Sequence, residues 1–91
     1  MRFTLEVGNE TEKVLLEYSS NQLLGSTIIK VNDQEIKKTN RIFSGPWRES
    51  HDLQLGVTQP FSVRIEKERK LFGEINRVFV DGRLVRCYEG L

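Results

Sequence analysis

Ser50, His51 and Asp52 stand side by side in RESHDLQ, and they are the residue types of a serine hydrolase. A triad works only if hydroxyl, imidazole and carboxylate converge in space. On a strand, successive side chains point to opposite faces. Ser50 and Asp52 therefore face away from His51, which is expected in solvent at a strand start. Cys87 as a nucleophile needs a base, and His51 is the only imidazole in the chain. On a return strand Cys87 reads instead as a small packing residue. One His and one Cys also fall short of the roughly four ligands of a zinc site. The carboxylate pairs Glu10/Glu12 and Glu66/Glu68 stand among Lys and Arg, which keeps them ionised on a wet surface, whereas an acid catalyst needs its pKa raised by burial. The glycines are scattered singly and form no phosphate-binding loop. The expectation is a non-enzyme with no cofactor and no metal.

Binding chemistry is better represented. RIEKERK carries Arg64, Lys67, Arg69 and Lys70, and Arg77, Arg83 and Arg86 lie toward the C-terminal end. If Arg77 and Phe79 share the outer face of one strand while Arg83 projects from its neighbour, they form a basic-aromatic patch on which single-stranded nucleic acid could stack. Against this, 14 Lys+Arg face 13 Asp+Glu, so no long-range field attracts phosphates. The same charges also suit a solvated sheet face that resists edge-to-edge aggregation. Trp47 follows Gly45-Pro46 and precedes Arg48, a pairing common among interface anchors. Trp47 could equally stack on a glycan or fold back as a lid over a thin core. Leu15, Ile28 and Phe79 fall on outward faces by strict alternation and suggest homodimerisation by sheet packing or edge pairing.

The elements that must position these residues are strands. In RFTLEV, EKVLLEY and FSVRIEK, apolar residues recur with period two: Phe3/Leu5/Val7, Val14/Leu16/Tyr18 and Phe61/Val63/Ile65. TIIKV and NRVFV add β-branched runs. Gly8-Asn9, Asn32-Asp33 and Asp81-Gly82 are turn signals, the last two suited to type I′ hairpins. Eight strands are expected, at 2–7, 12–18, 26–32, 35–43, 52–56, 60–67, 72–80 and 83–88. This spacing predicts an all-β antiparallel sandwich or barrel built from hairpins, as a single domain over 1–91. Residues 11–24 also fit an amphipathic helix capped by Thr11, with strand preferred for its continuing period of two. KERKLFGE, residues 67–74, reads as an exposed hairpin tip dominated by charge. The expected core is Phe3, Leu5, Val7, Val14, Leu16, Tyr18, Ile29, Val31, Ile36, Leu53, Leu55, Phe61, Val63, Ile65, Val78, Val80 and Val85. KVNDQEI and FVDGRLV look like one strand–turn–strand unit used twice, although any two hairpins share such chemistry.

With 91 residues the core must be thin and the stability modest. A single cysteine fits a reducing cytosol. Glu6 comes too early for a signal-peptide core, and no apolar run is long enough for a membrane helix. A soluble, cytoplasmic protein is expected.

The stretches EKVLLEY, TIIKVNDQEIKK, RIFSG, HDLQLG, FSVRIEK and NRVFVDGRLVRCY resemble, in order, one domain of the Fas apoptotic inhibitory molecule family. The departure is Arg41-Ile42-Phe43, where that family has a Trp before the aromatic. The resemblance implies a non-enzymatic β-sandwich in a family linked to cell survival and protection against aggregation. Residues and resemblance together suggest protein–protein interaction or self-association through Trp47, Arg48, Arg77, Phe79 and Arg83. Single-stranded nucleic-acid binding through the Arg/Phe face, and glycan binding through Trp47, are the alternatives.

Overall fold

The computed structural model describes residues 1–21, 25–40 and 48–90, with Thr39 and Asn40 described by backbone alone. Trp47 and the Arg41-Ile42-Phe43 stretch lie outside the described residues. Eight strands are present: β1 (Arg2–Gly8), β2 (Lys13–Asn21), β3 (Ser26–Val31), β4 (Gln34–Asn40), β5 (Arg48–Leu55), β6 (Phe61–Arg69), β7 (Glu74–Val80) and β8 (Arg83–Gly90). They form two four-stranded sheets, each in sequential order, β1-β2-β3-β4 and β5-β6-β7-β8. The described ladders are antiparallel. No helix occurs among the described residues, so 13–21 is strand, as its period of two suggests.

The chain divides into two compact units. The first holds most of β1 and β2 with β3 and β4. Its buried face carries Phe3, Val7, Val14, Leu16, Tyr18 and Ile29, with Ser20 and Thr27 at the polar end. The Phe3 and Tyr18 rings stack with centroids 4.8 Å apart, a contact that adds about 0.5–1.5 kcal/mol to their burial. The second unit holds β5 to β8 together with the β1–β2 connection. Its buried face carries Phe61, Val63, Ile65, Val78 and Val80, while Ile75, also buried, lies on the opposite face against Glu68. In the β1–β2 connection, the Asn9 side-chain oxygen accepts the N–H groups of Thr11 and Glu12. Glu12 Oε1 in turn accepts the N–H groups of Val57 and Thr58.

Both hairpin turns have the left-handed geometry their residues suggest. Asn32 and Asp33 have φ of 50° and 66°, and Asp81 and Gly82 have 49° and 81°. The likeness of the two hairpins extends to their contacts. Asn32 donates its N–H to the Leu15 carbonyl and accepts the Leu15 N–H on Oδ1, both at 2.9 Å. Asp81 does the same with Ser62, again at 2.9 Å twice. Each return strand then carries a bulge at the same place. Ile29 pairs with Lys37 and Lys30 with Glu35, so Ile36 is the extra residue. Val78 pairs with Arg86 and Phe79 with Leu84, so Val85 is the extra residue.

These bulges correct two expected core positions. Ile36 and Val85 are 42% and 44% exposed, because a bulge breaks the alternation on which their inward placement was argued. Leu5, Val31, Leu53 and Leu55 are half-buried. Two further expectations reverse. His51 is buried rather than solvated, and Cys87 is exposed rather than packed. His51 sits opposite Ile65 on the buried face, in the middle of a longer β5 than the sequence suggested. Cys87 lies on β8, an edge strand whose residues 83–87 are all exposed.

Candidate interaction surface

The outer face of the β5–β8 sheet collects part of the charged residues singled out in the sequence: Arg48, Arg64, Glu66, Glu68 and Arg77. Its register aligns Arg48 with Glu68, Ser50 with Glu66 and Asp52 with Arg64 on β5 and β6. It then aligns Glu66 with Arg77 and Arg64 with Phe79 on β6 and β7. Opposite signs therefore meet across strands, and they bind each other. Glu68 lies 3.3 Å from Arg48 Nη2 through Oε1 and 3.2 Å from Arg77 Nη1 through Oε2. The hydrogen bond from Arg77, with the nearby Arg48 charge next, holds the Glu68 carboxyl below the ordinary glutamate range. Arg64 Nε lies 2.7 Å from Asp52, and that hydrogen bond raises the guanidinium pKa further. A depression of about 510 Å³ lies over this face, lined by Arg48, Glu66, Glu68 and Arg77 among others.

The structure thus brings Arg48 and Arg77 together, with Glu68 as the bridge. Phe79 follows Arg77 on the same face and is half-buried. Arg83 is not part of the group. Its ladder partner is Val80, on the opposite face, and Leu84 is the neighbour of Phe79. Arg64 and Arg77, the arginines nearest Phe79 on this face, are both matched by carboxylates. Ser50 and Asp52 are exposed on the face away from buried His51. Leu15 and Ile28 belong to the other unit from Phe79, and Ile28 pairs with Ser19, not with a neighbour of Leu15. Among the described residues, no group of three or more His, Cys, Asp or Glu could hold a metal ion. No helix there is long and apolar enough to cross a membrane.

Two adjacent large apolar side chains stand exposed at the tip between β6 and β7. Leu71 and Phe72 are 81% and 83% exposed. Leaving two such side chains in water forgoes about 1.5–3 kcal/mol each. The tip is held in shape. Lys70 N–H donates to the Gly73 carbonyl at 2.9 Å, and Gly73 has φ of 102°, which favours glycine. On the exposed rim, Lys70 Nζ reaches Glu89 Oε1 of β8 at 3.0 Å. At the base, Lys67 and Glu74 are buried with Nζ 3.6 Å from Oε2, and Asn76 Nδ2 donates to the same oxygen at 3.1 Å. Placing 67–74 at an exposed tip was legible from its charges, but Lys67 and Glu74 turn inward beneath it. Leu71 and Phe72 were missed as interaction residues. Their signal was two adjacent large apolar residues interrupting a charged run. No protein-family model, no curated protein and no solved structure matches this chain, so the surface is read from its own chemistry.

Proposed function

We propose that this protein is a non-catalytic interaction module that engages another protein, or a second copy of itself, through the β6–β7 tip. The exposure of Leu71 and Phe72 on a turn with a defined backbone carries the reading. A small domain gains stability from every large apolar group it buries, and these two are withheld from its core. Aromatic side chains held on a rigid element make effective anchors because little conformational freedom remains to be lost on binding. A non-catalytic role is supported by Ser50 and Asp52 lying across the sheet from His51, and by outer-face carboxylates engaged with arginines. The resemblance to the Fas apoptotic inhibitory molecule family points to the same class. Nucleic-acid binding finds less support, since the arginines beside Phe79 are already matched by carboxylates.

The test is retention of partners from a cell extract by the immobilised protein and by its Leu71→Ser/Phe72→Ser variant. The variant should melt no lower than the parent and should lose what the parent retains. Equal retention by both would show that the tip is not the binding surface.

A further inference from the structure

We infer that the outer edge of β8 takes an extended acidic segment of a partner protein as an added strand, at a surface separate from the β6–β7 tip. β8 ends the order β5-β6-β7-β8, and among the described residues no strand lies on its far side. Its residues 83–87 are all exposed. Strict alternation would put Arg83 and Arg86 on opposite faces. The bulge at Val85 cancels that: Arg83 pairs with Val80 and Arg86 with Val78, so both lie on one face. Tyr88, opposite Asn76, follows on the same face, and the Arg86 guanidinium lies 6.0 Å from its ring centroid. An open edge thus carries two cations and an aromatic ring in one row.

Charge sets this row apart from the outer face of the same sheet. There Arg48, Arg64 and Arg77 are each matched by a carboxylate, whereas among the described residues neither Arg83 nor Arg86 joins an ion pair. Glu89, the acidic residue of β8, is engaged with Lys70. The spacing fits a strand. Arg83 and Arg86 stand opposite residues two apart on β7, so they project about 7 Å from each other, the distance between alternate side chains of an extended chain. An added strand with acidic residues at alternate positions meets both arginines with the same face. Its main-chain groups continue the ladder and supply affinity, while the alternate side chains supply specificity. The same arginines reject the β8 edge of a second copy, which would bring cations to cations.

Fluorescence anisotropy of short labelled peptides titrated with the whole chain tests this. A peptide alternating Glu and Thr should bind, and less tightly as salt is raised. Arg83→Ala/Arg86→Ala, changed at exposed positions only, should melt as the parent does and bind this peptide about tenfold more weakly. A peptide of the same composition ordered Glu-Glu-Thr-Thr divides its acids between two faces and should bind several-fold more weakly. With the alternating peptide bound, hydrogen exchange should slow at those β8 amides that face away from β7. Equal binding of the two peptide orders, or unchanged exchange along β8, would show attraction of charge without an added strand and overturn the inference. So would an absence of binding at about 1 mM. Oligothymidylate bound more tightly than the alternating peptide, and lost in the double alanine variant, would make single-stranded nucleic acid the occupant and overturn the peptide. Leu71→Ser/Phe72→Ser should bind the peptide as the parent does; loss of binding there would overturn β8 as a separate surface, whereas partner retention judges the tip.

Discussion

Asp81 and Ser62 grip each other twice. The Asp81 N–H donates to the Ser62 carbonyl, and the Ser62 N–H donates to Asp81 Oδ1, both at 2.9 Å. The turn residue thereby continues the β6–β7 ladder after β7 has ended and fixes where the chain reverses. Asn32 and Leu15 repeat the arrangement in the other unit. Asp81→Ala should cost about 1–2 kcal/mol, from the lost acceptor of the Ser62 N–H and hydroxyl and an alanine held at positive φ. Asp81→Asn keeps the acceptor and tolerates that φ, so it should be close to neutral. Chemical denaturation of both variants checks this.

Gly82 and Gly8 should respond differently to alanine. A Cβ on Gly82 meets nothing within 4 Å, but φ is 81°, so Gly82→Ala should cost about 1 kcal/mol through backbone strain alone. A Cβ on Gly8 would collide with the Glu12 carbonyl oxygen and crowd Lys13 Cα. Both are backbone atoms that cannot rotate away, so Gly8→Ala should be the more damaging. Melting temperatures rank the two.

The buried Lys67–Glu74 pair should show the asymmetry of buried charges. Glu74→Ala leaves an uncompensated ammonium and should cost about 3–5 kcal/mol. Lys67→Met with Glu74→Leu removes both charges and should recover most of that loss, less about 1 kcal/mol for the Asn76 bond to Glu74. Urea titrations of the single and double variants decide it.

Glu68 links stability to pH. Its folded-state pKa lies below the unfolded value, chiefly through the Arg77 hydrogen bond and then the Arg48 charge. Its contribution is therefore present above the unfolded glutamate value of about 4.3. That contribution is lost as pH falls through the lower folded value. A carbon-detected NMR titration should find the Glu68 carboxyl titrating below the ordinary glutamate value of about 4.3. Arg77→Ala should move it back up, by more than Arg48→Ala does.

Ile36→Lys and Val85→Lys should each change stability by less than about 0.5 kcal/mol, the usual range for surface sites. Ile29→Lys, at a fully buried position, should unfold the protein. Comparing soluble yield and melting of the three is enough.

The residues in order determined which segments become strands and where the chain turns. Period two in RFTLEV, EKVLLEY and FSVRIEK, and the Asn32-Asp33 and Asp81-Gly82 turns, are local properties of pleat and φ, so they survive without knowledge of neighbours. Only the tertiary structure decided which strand lies beside which, and so what each side chain meets. It buried His51 by placing it opposite Ile65 at the middle of a ladder, and exposed Cys87 by placing β8 at an edge. It expelled Ile36 and Val85 through bulges that alternation does not register. It drew Lys67 and Glu74 inward together while leaving Leu71 and Phe72 in water between them. Burial depends on cross-strand register and on what covers a face, and both are set by residues distant in the chain.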